Sequence, residues 1–215
     1  GRLAVAVHCG AQTTADSVAL AMAAAEAGAD AVAVIGPPYF KLDAEAQRRH
    51  LLAVAGACAP LPFYVYEFAG AAGYAFDPEM LLRLRDEAGN VRGMKVSDTP
   101  WSAFEPYLLD GFDIFVGPEA LIHQGLQAGA VGAVSALAGS FPEVVVEALR
   151  AGTARASEWA GALRAQVMGY PQQAALKRVL GARGVPIKPD VRPPLRDLTA
   201  AELASFEPWL EASLP

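Results

Sequence analysis

Two side chains form a pair able to do carbonyl chemistry: Lys95 and Tyr66. Lys95 lies in Arg92-Gly93-Met94-Lys95-Val96-Ser97, at the C-terminal end of an apolar run. Strand alternation puts Val91, Gly93 and Lys95 on one face. In a crowded, poorly solvated interior the ammonium form of an amine is disfavoured, and a neutral amine attacks a ketone carbon. Gly93 would leave space beside it. Taken alone, Lys95 also fits a strand-end lysine reaching solvent. Tyr66 ends the run Phe63-Tyr64-Val65-Tyr66-Glu67-Phe68 and shares a face with Tyr64. A phenol beside an amine can relay protons during carbinolamine formation and carbon–carbon cleavage. Taken alone, it also fits a core aromatic with its hydroxyl satisfied by backbone. A lysine and a tyrosine ending neighbouring strands, both aimed inward, are a stronger signal than either one.

Glu67 follows directly and fits two roles, a base or acceptor for substrate hydroxyls and an ordinary loop carboxylate. Gly117, in Gly117-Pro118-Glu119, allows close backbone approach to a ligand and equally a plain turn before a helix. His8, His50 and His123 have no metal-ligand spacing, and the carboxylates cluster on helix faces, so no metal site is expected. There is no Walker loop and no G-x-S-x-G elbow.

These residues need elements to hold them. One unit recurs: a β-branched run, a polar or Gly/Pro break, a helical stretch, then glycine. Strands are expected at Leu3–Val7, Ala31–Ile35, Phe63–Phe68, Val91–Val96, Asp113–Val116 and Val131–Leu137. Helices are expected after Thr13 or Thr14 to Gly28, from Asp43 to Cys58, Pro78 to Glu87, Ser102 to Leu109, Glu119 to Ala128 and Pro142 to Ala151. The joints Ala27-Gly28-Ala29-Asp30-Ala31 and Ala128-Gly129-Ala130-Val131 are near copies of a helix-to-strand turn in a parallel sheet. After Gly152 the pattern is helical, broken near Gly169-Tyr170-Pro171. Thr199 caps a last helix through Leu214, with Glu202 completing a capping box. The reading is α/β, with residues 1–152 carrying the strands and 153–215 a helical region. Six units fall short of the eight of a closed barrel, typically about 250 residues. An open doubly wound sheet would tolerate six, but no G-x-G-x-x-G follows the early strands. Period and composition leave barrel and open sheet both open.

The chain of 215 residues is 53% hydrophobic, enough for one substantial core, and carries a net charge of -6. That balance argues against a nucleic-acid partner, which needs a basic stripe. No apolar run reaches the roughly 18 residues of a membrane span. Cys9 and Cys58 form no C-x-x-C pair, consistent with reduced thiols in the cytoplasm. Gly1-Arg2 leads straight into a strand-like run, so the chain is expected to begin in mid-fold.

The same residues resemble the dihydrodipicolinate synthase/N-acetylneuraminate lyase family of Schiff-base aldolases. Pro62-Phe63-Tyr64-Val65-Tyr66 resembles the strand ending in the family's catalytic tyrosine, and Arg92-Gly93-Met94-Lys95-Val96-Ser97-Asp98 the strand bearing its lysine. Pro37-Pro38-Tyr39-Phe40, Phe115-Val116-Gly117 and Gly129-Ala130-Val131-Gly132-Ala133-Val134-Ser135 match three further motifs in order. The resemblance implies a (β/α)8 TIM barrel of which strands three to eight are present, plus C-terminal helices. It implies a lyase or aldolase acting on pyruvate or another 2-keto acid, with a covalent imine on Lys95, proton transfer by Tyr66, and no separate cofactor. Glu67, Gly117 and Val134 would be substrate-binding. A homodimer or homotetramer is expected, with neither nucleic acid nor membrane as partner.

Three departures bear on the substrate. Glu67 stands where the family often has asparagine. Ala71 stands where the lysine-pathway synthases carry an arginine for a carboxylate, a bidentate clamp that is costly to lose. Phe40 stands where they place a tyrosine reaching into a neighbouring subunit's site. An aldolase or lyase for another 2-keto acid fits better than dihydrodipicolinate synthesis itself. A barrel that binds 2-keto acids without catalysis is the alternative from another class. A phosphate-binding isomerase is poorly supported, because Pro142 removes a donor after Ala138-Gly139-Ser140-Phe141.

Overall fold

The computed structural model of the chain describes residues 3–213. They cluster as two compact units, one of residues up to 118 with 124–134, the other of 119–123 with residues from 135 onward.

The first unit is built on six parallel strands: β1 Ala6–His8, β2 Ala31–Ile35, β3 Phe63–Glu67, β4 Val91–Val96, β5 Asp113–Val116 and β6 Gly132–Ala133. The strand order in the sheet is the order in the chain. A doubly wound sheet reverses its order at a switch point; this sheet has none, so its progression is that of a barrel wall. The apolar runs place Val32, Val34, Phe63, Val65, Met94, Val96 and Val116 on one face, all fully buried. Helices α1 Thr14–Glu26, α2 Ala44–Cys58 and α4 Pro78–Glu87 follow their strands, and supply Leu51, Val54, Met80, Leu81 and Leu84 to this core. Each of these helices starts on a side-chain cap: Thr13 accepts from the Asp16 amide at 3.1 Å, Asp43 from Ala46 at 2.7 Å and Asp77 from Glu79 at 3.1 Å. Gly28, at φ +80°, turns α1 into β2. Two short helices, α3 Ala69–Ala72 and α5 Trp101–Phe104, lie in the loops after β3 and β4.

Three boundaries differ from the sequence pattern. The first strand begins at Ala6 rather than Leu3, because the Val5 amide is taken by the Asp30 carboxylate at 2.7 Å. The last strand pairs only at Gly132 and Ala133. Beyond Val134 the Ser135 hydroxyl accepts from the amides of Leu137 and Ala138, at 3.0 and 3.2 Å, and bends the chain into a 3-10 turn at Leu137–Gly139. The stretch expected as one helix from Glu119 opens as a 3-10 turn before α6 Ile122–Gln127.

The second unit contains α7 Pro142–Ala151, α8 Ala154–Met168, α9 Gln172–Ala182 and α10 Ala200–Ser213. The expected boundary at residue 152 falls inside this unit, because α7 packs on α8. Glu119, buried to 1% exposure, takes the Arg164 guanidinium at 3.2 Å and the Ser135 hydroxyl at 2.5 Å. The capping box forms as expected: Thr199 N donates to Glu202 at 2.7 Å and Glu202 N to Thr199 Oγ1 at 3.2 Å. Leu214 lies outside the described residues. Cys9 and Cys58 are buried free thiols. Among the described residues no helix is long and apolar enough to cross a membrane.

Candidate active site

The opposite face of the sheet carries the candidate residues. Register aligns Ile35, Tyr66, Lys95, Phe115 and Gly132 in one row across five strands, near their C-terminal ends. The row below runs His8, Ala33, Tyr64, Gly93 and Asp113. Ligand sites in parallel α/β folds lie at this end of the sheet.

Lys95 and Tyr66, singled out from sequence, are direct register partners on adjacent strands. The Lys95 Nζ lies over the Tyr66 ring, 4.2 Å from its centroid, and both residues are half-buried. The Ser97 hydroxyl donates to the Tyr66 phenol oxygen at 3.4 Å, which leaves the phenol hydrogen free to point into the site. Gly93 has a backbone cause. A Cβ there would lie 2.0 Å from the Asp113 carbonyl oxygen, so β4 and β5 approach as they do only because this residue is glycine. On the same face the Tyr64 and Phe115 rings meet edge to face, with centroids 5.7 Å apart.

His8 joins this face and was not singled out from the sequence. Its ring meets Tyr66 edge to face with centroids 5.9 Å apart, and its Nε2 accepts from the Ile35 amide at 3.2 Å. An acceptor Nε2 leaves the proton on Nδ1. Desolvation, then the positive charge of Lys95, hold the imidazole below its ordinary value, which favours the neutral ring. The signal was alternation along the first strand, hidden by placing that strand at Leu3–Val7 so that its end fell short of His8.

The other expected site residues sit differently. Glu67 is turned away from Lys95: alternation places it with Phe63 and Val65 on the helix-covered face, at 0% exposure. Its Oε2 accepts from the Phe76 amide at 2.8 Å. Direct contact with a substrate on the Lys95 face is therefore not available to it. Gly117 donates its amide to Val96 O at 2.7 Å, and a Cβ there would come within 2.4 Å of Ser97 Oγ. The close approach this glycine permits is to the end of β4. Val134 continues the ladder beyond β6 by donating to Val116 O at 3.0 Å, with an exposed side chain. Ala71 is an exposed alanine in α3, with no basic group in its place. Tyr39, at φ +87°, and Phe40 stack edge to face on an exposed loop after β2. No group of three or more His, Cys, Asp or Glu among the described residues could hold a metal ion.

The profile of the Dihydrodipicolinate synthetase family matches residues 1–213. An uncharacterized DapA-like lyase of Halobacterium salinarum is 34% identical over 216 residues, 96% of this chain and 70% of that protein. A 4-hydroxy-tetrahydrodipicolinate synthase of Streptomyces coelicolor is 33% identical over 221 residues, 95% of this chain and 71% of that one. Among solved structures, a catalytic lysine mutant of the sialic acid aldolase of Ruminococcus gnavus superimposes with a TM-score of 0.88 at 27% identity. It covers 98% of this chain, which spans 73% of that structure.

Proposed function

This chain belongs to the dihydrodipicolinate synthetase family, and from that premise we propose that it is a Schiff-base lyase or aldolase for pyruvate or a longer 2-keto acid. The observation that carries the reading is the register pairing of Lys95 with Tyr66, amine over phenol, on the sheet face away from the helices. The relatives include proteins named as synthases, lyases and aldolases, and one solved relative is described by its catalytic lysine. The six strands are read as strands three to eight of an eight-stranded barrel.

The Lys95 amine adds to the keto carbon, and the keto oxygen takes one proton from the attacking nitrogen and a second from Tyr66 and leaves as water, giving an iminium. That iminium withdraws the electron pair of the bond beyond C3 as the distal hydroxyl gives up its proton, which yields an aldehyde and a Lys95 enamine. Protonation at C3 and hydrolysis return the 2-keto acid and the free amine. Tyr66 is the proton carrier, since its hydroxyl hydrogen is uncommitted while Ser97 holds its oxygen. His8, with Nδ1–H to offer, is a donor for substrate oxygen. The backbones at Gly117 and Val134 would form part of the wall. The lysine supplies the electrophile, so the chemistry proposed uses no separate cofactor. Ala71 in place of a carboxylate-binding arginine favours an aldehyde partner without a carboxylate at that position over the substrate of the synthases.

Enamine formation gives the test. In heavy water the enzyme should exchange the methyl hydrogens of pyruvate for deuterium, followed by NMR. Lys95→Arg should abolish the exchange. Exchange that is equal with and without Lys95 would falsify the lyase reading.

A further inference from the structure

Glu67 is a carboxyl group placed where carboxylates are rarely found. Strand alternation buries it completely among Phe63, Val65 and the helix layer. One oxygen, Oε2, accepts from the Phe76 amide at 2.8 Å. The other, Oε1, is buried with no hydrogen-bond donor. What faces the group from its neighbours is acidic or already committed. Asp98, in the loop after β4, lies within hydrogen-bonding reach and spends both its oxygens on the Ala69 amide, at 3.0 and 3.3 Å. The Tyr107 hydroxyl also stands within hydrogen-bonding reach of Glu67, but it donates its hydrogen to Phe76 O at 3.0 Å, and the Tyr74 hydroxyl donates to Pro37 O at 2.9 Å. Asp77 adds a further negative charge near Tyr107. Among the described residues no lysine, arginine or histidine pairs with Glu67 or Asp98.

We infer that Glu67 and Asp98 hold one proton between them, with Glu67 as the acid that donates to the Asp98 carboxylate, and that this pair makes Glu67 a positioning residue for the Lys95–Tyr66 site. An anion at Oε1 would be desolvated, without a donor and beside a second carboxylate, a combination that strongly disfavours the charged form in a protein interior. A protonated Glu67 removes all three penalties at once and gives Asp98 a second donor. Burial, with Asp98 adding to it, pushes the Glu67 carboxyl up to about 8. The pair ties the segment after β3 at both ends: Ala69 to Asp98 and Phe76 to Glu67. Its link to the site is short. Glu67 follows Tyr66 in the chain, its carbonyl accepts from the Ser97 amide at 2.9 Å, and Ser97 Oγ holds the Tyr66 oxygen.

The shared proton stands or falls without the lyase reading; only the positioning role rests on that reading. Infrared spectra of the full chain should show a protonated-carboxyl band below about pH 8 that is lost above it. Glu67→Gln keeps the shape, accepts from Phe76 and donates to Asp98, and should remove that band while keeping the wild-type unfolding midpoint. In wild type the rate of Lys95-dependent deuterium exchange into pyruvate should fall about tenfold per pH unit above the transition. In Glu67→Gln that fall should be absent. A wild-type spectrum with no protonated carboxyl at neutral pH, or a band that survives in Glu67→Gln, overturns the shared proton. An alkaline fall unchanged in Glu67→Gln overturns the positioning role. A Glu67 band with no Lys95-dependent exchange upholds the shared proton and removes the lyase reading together with the positioning role.

Discussion

Replacing Gly93 with alanine tests how the sheet holds Lys95. The new Cβ would stand 2.0 Å from the Asp113 carbonyl oxygen and 2.7 Å from its carbonyl carbon and amide nitrogen. These are backbone atoms of the paired strand and cannot rotate away, so β4 and β5 must separate by more than an ångström at Gly93↔Asp113. Overpacking of this kind costs about 1–3 kcal/mol, and more where the neighbour is backbone. Lost ladder bonds on either side, each worth roughly 1 kcal/mol, bring the expectation to about 3 kcal/mol. Gly132 is the control, since a Cβ there would meet the Phe115 ring at 3.4 Å, within ordinary contact. Its alanine variant should lie within about 0.5 kcal/mol of wild type. Urea unfolding with the slope held common separates the two. A Gly93→Ala chain as stable as Gly132→Ala would refute the claim that close backbone approach explains this glycine.

Three further outcomes follow from the site and its supports. Tyr66→Phe, which removes only the hydroxyl whose oxygen Ser97 holds, should slow pyruvate deuterium exchange by about 10²–10⁴-fold with little change in unfolding midpoint; an unchanged rate would remove Tyr66 from the proton path. Glu119→Ala strips the buried partner of Arg164, Ser135 and the Leu137 amide. It should lower stability by about 3 kcal/mol, and a loss below about 1 kcal/mol in urea titration would mean the pair behaves as a surface one. His50 is buried with Nε2 unpartnered and Nδ1 against Thr14 Oγ1 at 2.9 Å, and desolvation holds it below 6.5. Its unfolded form binds a proton first as pH falls, so stability should decline below about pH 6.5 by at most about 1.4 kcal/mol per pH unit for this group. His8 shifts in the same direction, so a His50→Gln chain should show a shallower decline, and an identical slope would contradict the assignment.

What the sequence revealed, and what it hid, follows from the range of each signal. Strands β2 to β5 are mainly apolar runs, and helices α1, α2 and α4 open on Thr13, Asp43 and Asp77, so local pattern places their starts to within a residue. The choice between barrel and open sheet was not local. It lies in the sequential strand order, which no period encodes. Lys95 and Tyr66 were visible because alternation and strand ends are both local rules. His8 was missed because the first strand starts three residues late, after Asp30 captures the Val5 amide, a contact spanning 25 residues. Glu67 had the opposite problem. Its nearness to Tyr66 in sequence suggested the same site, while the period of two in a strand sends adjacent residues to opposite faces. The end of β6 was overrun because apolar Val134 and Leu137 flank Ser135, whose hydroxyl bends the chain.

Borohydride reduction in the presence of pyruvate, followed by peptide mass mapping, examines the covalent step itself. The account predicts one adduct, on the peptide containing Lys95, and none when Lys95 is replaced by arginine. A chain that takes up no pyruvate, or takes it up on Lys41, Lys177 or Lys188 instead, would contradict it.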